Sequence, residues 1–342
     1  MSDDAPVKAD LDEIRGLLSV MPKADEAARD AARAREGQLT KPPGALGRLE
    51  TLAEWVATWQ GRTPPRIERP RVAVFAGNHG VAYKGVSAYP IAVTAQMVAN
   101  FQAGGAAVNQ LCAANDAELR VYEMALDHPT ADFTDGPAMT EEECATAMAY
   151  GMMAVEEGID ILCLGEMGIG NSTSAAALAH ALFGGKAQDW TGPGTGVTGS
   201  TMELKIQVVD EAVTRHLPEM TDSFDALRRL GGHELAAIAG AILAARVGRV
   251  PVILDGYACT AAASILYRAD PHALDHCIVG HLSAEPSHRR LCEAIGKQPL
   301  LDFGMRLGEG SGAAVALGIV KSAVACHSGM ATFAEAGVSD KD

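Results

Sequence analysis

The stretch "IDILCLGEMGIGNSTSAAAL" occupies residues 159–178. Its first six residues are mostly apolar, as in a strand buried on both faces. Glycines at 165, 168 and 170 follow at once, with the carboxylate of Glu166 among them. Asn171, Ser172 and Thr173 then supply polar groups suited to a helix start, and a run of small residues continues the helix. A doubly apolar strand, a glycine turn and a capped helix make up the βα unit of a parallel sheet.

The same pattern recurs on either side. Short apolar runs, expected to be strands, occur at "RVAVFAG" (71–77), "ELRVYEMAL" (118–126), "VPVILDG" (250–256) and "HCIVGHL" (276–282), with a weaker sixth at "PLLDFGMRL" (299–307). Helical segments separate them, including "TAQMVANFQAGGAAVNQLCAA" (94–114), "EEECATAMAYGMMAVEEG" (141–158) and "TMELKIQVVDEAVTRHL" (201–217). This alternation predicts an α/β fold, a Rossmann-like parallel sheet with helices on both faces. Residues 1–65 read as helices, 66–330 as the α/β portion and 331–342 as a C-terminal tail, with "AGVSDKD" expected to fray.

Composition narrows the function. The 342 residues carry a formal charge of −15, which disfavours nucleic acid and anionic membranes as partners. The longest apolar run, "LAAIAGAILAARV" from Leu235, is too short to span a bilayer and reads as a buried helix. Seven cysteines without a CxxC pair read as buried free thiols in a reducing compartment. The acidic "MSDDAPVKAD" at the N-terminus has no signal-peptide pattern, so a cytoplasmic location is expected. Ten histidines include no HExxH, and His272 and His276 lack a nearby third ligand, so neither a metal nor a cofactor is expected.

Polar, glycine-rich signatures directly follow the strands: "GNHG", "GEMGIGNST", "DGYACT" and "HLSAEP". Ligands of open α/β sheets bind beyond the carboxyl ends of the strands, so these segments should converge on one rim. The N–H groups opening the helix at 171 suit a phosphate or carboxylate, but GxxxxGK[ST] is absent and ATP is not implied. A second glycine-rich loop, "TGPGTGV" (191–197), includes Gly194 and Gly196 and precedes a helix carrying Lys205, a cation the acidic chain otherwise lacks there. "FAGNHGVAYKGVSAYP" (75–90) has the small and polar residues of a functional loop, in which His79 reads equally as a structural or a catalytic histidine. Glu309 in "RLGEGSGAAVAL" (306–317) is flanked by glycines, so a ligand can approach it closely. Desolvation there would make it a usable general base.

"LTKPPGALGRLE", "NHGVAYKGVSAYP", "VTAQMVANFQAGGAAVNQL", "GEMGIGNSTSAAAL", "GGHELAAIAGAIL", "PVILDGYACTAAA", "HLSAEPSH" and "DFGMRLGEGSGAA" occur in this order. Together they closely resemble the nicotinate-nucleotide–dimethylbenzimidazole phosphoribosyltransferase family over roughly residues 38–330. The resemblance implies a pentosyltransferase of cobalamin biosynthesis. It would move the phosphoribosyl group of nicotinate mononucleotide to 5,6-dimethylbenzimidazole, with inversion at C1′, giving α-ribazole 5′-phosphate and nicotinate. It also implies an α/β catalytic domain over 66–330 with a smaller helical domain formed largely by 1–65, which some segments of 66–330 are free to join, and a homodimer with the partner subunit bordering the site. Carried over, Glu309 matches the general base and Glu166 the other carboxylate. Gly168, Ile169, Gly170, Asn171, Ser172 and Thr173 match the phosphate-side loop, with Lys205 beside it. Residues 78–97 match the segment lining the base pocket, which points to His79, Ser87, Tyr89, Gln96 and Met97. Asn78 departs from the pattern, since many members carry Asp there.

Overall fold

The computed structural model describes residues 9–339. Residues 1–8 and 340–342, which hold most of the acidic N-terminal segment and the end of the expected frayed tail, lie outside the described residues. The described chain opens with helices α1 (Leu11–Leu17), α2 (Glu26–Glu36) and α3 (Arg48–Gln60). Strand β1 (Pro70–Gly77) follows, then α4 (Val93–Gln102), α5 (Ala107–Ala114), β2 (Glu118–Met124) and α6 (Glu141–Met152). The glycine-bearing βα unit becomes β3 (Ile161–Met167) and α7 (Asn171–Phe183). Next come α8 (Gly199–His216), α9 (Ser223–Leu230), α10 (His233–Val247), β4 (Val252–Leu254) and α11 (Tyr257–Ala269). The chain closes with β5 (Cys277–Val279), α12 (His288–Ala294), α13 (Ser311–Gly329) and α14 (Phe333–Ala336).

The five strands form one parallel sheet in the order β2-β1-β3-β4-β5. From β1 the chain runs first to β2 on one side, then crosses to β3 on the other. The order therefore reverses between β1 and β3, the kind of switch point beside which ligands of open α/β sheets bind. β1 is buried along its whole length, while the edge strand β2 alternates between exposed and half-buried residues. Side chains of the inner strands alternate between two cores, as the two-residue period of a strand requires. Ala73, Phe75, Leu162, Leu164, Val252 and Leu254 face a core built with α1 and α6–α12. Val72, Val74, Ile161, Cys163 and Ile253 face a second core built with α3, α5 and α13.

The expected sixth strand does not form. Within 299–307 only Leu301 makes a β-bridge, to His281, because Gly304 turns left-handed (φ 65°) and residues 302–304 are exposed. The segment 94–114 forms two helices because Gly104, at φ 79°, breaks it. The N-terminal helices part company: Leu11 and Ile14 of α1 join the first core, whereas Leu52, Ala53 and Val56 of α3 join the second. α2 meets the end of α13 through Arg35, which donates to the carbonyls of His327, Ser328 and Met330. The run from Leu235 is the buried α10, as expected. α13 has the length and hydropathy of a membrane span, and half of that window is buried in the protein. Six cysteines are buried, Cys326 is half-buried, and none forms a disulfide.

Small residues serve close packing. α6 and α10 touch through glycine: a Cβ on Gly240 would stand 1.9 Å from the carbonyl oxygen of Met148, and one on Gly151 1.9 Å from that of Ala237. Both contacts are to backbone, which cannot rotate aside. Gly240→Ala should therefore force the helices apart and lower stability by roughly 1–3 kcal/mol. Thermal unfolding measures this, and an unchanged Tm would show that the pair has slack.

Candidate active site

Three of the four strand-end segments converge, while "GNHG" (77–80) does not line the cavity. A cavity of about 510 Å³ opens beyond the carboxyl ends of β3, β4 and β5. β3 and its loop contribute Glu166 through Ile169, and α7 contributes Asn171 and Ser172. Gly256, Tyr257 and Ala258 come from the end of β4, and His281, Ser283 and Glu285 from beyond β5. Tyr89, Gly194, Thr195 and the segment Arg306–Gly308 complete the walls.

The turn before α13 fixes the carboxylates. Gly308, Glu309 and Gly310 are all left-handed, at φ 80°, 62° and 74°. For glutamate this conformation costs about 1–2 kcal/mol, so the surroundings must hold it. Two contacts do so. The Glu309 N–H donates to the Glu166 carbonyl at 3.1 Å. Asp255, immediately after β4, accepts from the Gly310 N–H at 3.1 Å (Oδ2) and the Ala313 N–H at 2.9 Å (Oδ1), capping α13. The turn also lies directly on β3: a Cβ on Gly165 would meet the Gly310 nitrogen at 2.3 Å. A side chain on Gly308 would meet the Glu166 carboxylate, at 2.7 Å from Oε1.

Burial dominates the electrostatics. It pushes Glu166 up to about 8, helped by the negative charges of Asp255, Glu234 and Glu309 and opposed by the amide of Asn171, which donates to Oε2. It pushes Glu309 up to about 7, with Asp255 adding to the effect. Lys205 is 1% exposed, and burial lowers it to about 8. Its Nζ donates to Ser172 Oγ and to the Gly192 carbonyl, both at 2.9 Å, so it reaches the glycine loops from behind. Burial also raises Glu285, which faces the same loops and has Oε1 unpartnered.

Of the residues singled out in the sequence, Glu166, Gly168, Ile169, Asn171, Ser172, Gly194 and Tyr89 line the cavity. Glu309 adjoins it through Gly308. Ser87 lies beside the mouth, 3.5 Å from Thr195 through the two hydroxyls. The others stand elsewhere. His79 is fully buried, bonds Glu234 at 2.6 Å and does not line the cavity. Gln96 is exposed on α4, and Met97 packs on the second core. Thr173 is buried within α7, Gly170 packs under His79 and Ala82, and Gly196 is exposed. Asn78 donates to the Leu126 carbonyl at 2.9 Å, a bond that an ionised Asp could not make. Sequence reasoning marked the segments after β4 and β5 but picked no residue in them. It missed Asp255, His281, Ser283, Glu285 and Arg306, whose only signal was their place after a strand or beside Glu309. Among the described residues no group of three or more His, Cys, Asp or Glu could hold a metal ion.

Raised carboxyls are linked to stability. Glu166 takes its proton more readily folded than unfolded, so its contribution is full below about 4.5 and is lost as pH rises towards about 8. Glu166→Gln should gain in Tm over the native protein as pH is raised from about 5.5 to about 8. A constant difference across that range would refute the linkage.

A family model described as a phosphoribosyltransferase matches residues 21–338. Nicotinate-nucleotide–dimethylbenzimidazole phosphoribosyltransferase from Sinorhizobium medicae is 60% identical over 330 residues, 96% of this chain and 97% of that protein. The protein of the same name from Brucella anthropi is 58% identical over 96% of this chain and 97% of its own. The crystal structure of CobT from Thermus thermophilus superposes with a TM-score of 0.85, at 42% identity over 92% of this chain and all of that one.

Proposed function

The chain belongs to the nicotinate-nucleotide–dimethylbenzimidazole phosphoribosyltransferase family, and from that premise we propose that it transfers the phosphoribosyl group of nicotinate mononucleotide to 5,6-dimethylbenzimidazole in cobalamin synthesis. The observation that carries this reading is a left-handed, glycine-flanked Glu309, bonded to the Glu166 backbone and next to Gly308 in the wall of a cavity that also has a helix N-terminus backed by a lysine.

The 5′-phosphate belongs at the start of α7, against Gly168–Ser172 and Gly194. The α7 dipole and the charge of Lys205 favour it there. The cationic pyridinium is a ready leaving group, so no pyrophosphate or metal is required. The benzimidazole enters past Tyr89 and Leu307. Glu309 accepts the proton of its N–H as the other ring nitrogen attacks C1′ from the face opposite the departing nicotinate, which inverts the centre. A carboxyl near 7 suits this task, because it is largely ionised just above neutrality yet basic enough to take the proton. Tyr89 and Leu307 line the cavity although 53% and 55% exposed, and Phe303 nearby is 68% exposed. That apolar rim supports a homodimer whose second subunit closes the mouth. We place the enzyme in the cytoplasm.

A rival assignment has its own support. Glu166 lines the cavity and is raised further, to about 8. Paired variants separate the two, with nicotinate mononucleotide and a panel of benzimidazoles and products read by mass. Glu309→Gln should lose turnover by roughly 10²–10⁴-fold while keeping nucleotide binding. Glu166→Gln should retain more activity. In the native enzyme kcat/KM should rise with pH through about 7, as the base must be ionised. If Glu309→Gln turns over normally and Glu166→Gln is dead, the roles exchange. Absence of nicotinate release with every base would overturn the reaction itself. Lys205→Ala should weaken nicotinate mononucleotide binding about tenfold or more and leave free dimethylbenzimidazole unaffected. Equal weakening of both would put the phosphate elsewhere.

A further inference from the structure

We propose that Asp255, which does not line the cavity, is a positioning residue of the reaction: it aims Glu309 through the turn it caps and supplies a carboxylate in its surroundings. This rests on the reading of Glu309 as the base.

Asp255 is fully buried and fixed on several sides. Its N–H donates to the Leu164 carbonyl at 3.2 Å, which pins it to β3. Its two oxygens hold the N–H groups of Gly310 and Ala313. The Glu309 N–H is held by the Glu166 carbonyl and the Gly310 N–H by Asp255 Oδ2, so the Cα of Glu309 is clamped through the peptides on both sides. A turn of three left-handed residues would otherwise relax, because two of them are glycines with wide freedom.

A helix cap in general needs no charge, since serine or asparagine caps about as well as aspartate; here two oxygens accept from two N–H groups, which asparagine with its single amide oxygen could not repeat. Here a carboxylate is kept in the interior near two others. Among the described residues the one basic group within ion-pair distance is His281, with Nε2 3.5 Å from Oδ1. Glu166 from β3 and Asp255 just after β4 interact with Glu309, while His281 beyond β5 lies against Asp255 and Glu234 on α10 acts on Glu166. Of these, Asp255 is the one that acts with burial to raise Glu309, and it also raises Glu166. Asp255 has both oxygens at the α13 N-terminus, where the dipole favours a carboxylate, and its negative charge acts with burial on Glu309 and Glu166.

The test is the pH–rate profile of Asp255→Asn, with Asp255→Ser as a second uncharged variant should the first fold poorly. Loss of the negative charge lowers the base. The acid limb of kcat/KM should therefore move down by about one pH unit, and the plateau kcat should fall roughly tenfold from lost aim. A purely structural cap would lower Tm and kcat with the acid limb unmoved, which would overturn the proposal. Carbon-13 NMR of glutamate carboxyls in the ligand-free Glu166→Gln protein reads the same shift without turnover. Glu309 should titrate at lower pH once Asp255→Asn is added, and no change there also overturns the proposal. Turnover by Glu309→Gln would defeat the base assignment alone, and the titration would separate that failure from this one.

Discussion

At Gly165 the backbone of β3 and the backbone of the Gly308–Gly310 turn come together with no side chain between them. Much of the site depends on that approach. It brings the Glu309 N–H to the Glu166 carbonyl, seats the start of α13 over the sheet and leaves Asp255 in line to cap it. Seating a carboxylate among glycines is thereby a matter of space. Gly308 leaves room for Glu166, Gly310 for Val72 and Gly165 for the turn itself. The strain at Glu309 is supported by these neighbours and is local to the chemistry.

The protein is acidic, and its proposed substrate is acidic too. The site reconciles them by holding charge back. Glu166 and Glu309 are raised towards neutrality, so near pH 7 they carry less charge than two surface carboxylates would. Lys205 is lowered by the same burial, with only the opposed charge of Glu285 acting to raise it. An incoming phosphate would add counter-charge beside the lysine and hold its proton more firmly. Hydroxyl and carbonyl partners, Ser172 and Gly192, aim the ammonium meanwhile.

Five strands and the rim they build were legible because parallel strands buried on both faces are written as apolar runs and their loops as glycine and polar clusters. The residues that complete the site were harder to read. Asp255 caps a helix that begins only at Ser311, and no local period encodes that contact. His79 sat in a polar loop, but Glu234, which binds it, lies on α10 and draws it into the interior. "PLLDFGMRL" had the apolar content of a strand, and a single left-handed Gly304 was enough to prevent one. Residues 94–114 had helical composition throughout, yet Gly104 divided them. Composition reported which side chains prefer burial, while placement followed from contacts far apart in the chain.

β4 and β5 have three residues each, against eight in β1 and seven in β3. One side of the cavity is thus hung on the part of the sheet with the fewest ladder bonds. Its walls come from segments between Tyr89 and Gly308, and each must be brought home by a separate crossover. Such non-local assembly is slow, because loop closure precedes the contacts that reward it. Amide exchange at the β4–β5 edge would then run ahead of exchange in β1, and the site would come apart in sub-global openings before the central strands separate. Catalytic competence in this chain would report on the last pieces of the sheet to join, while most of its secondary structure is already in place.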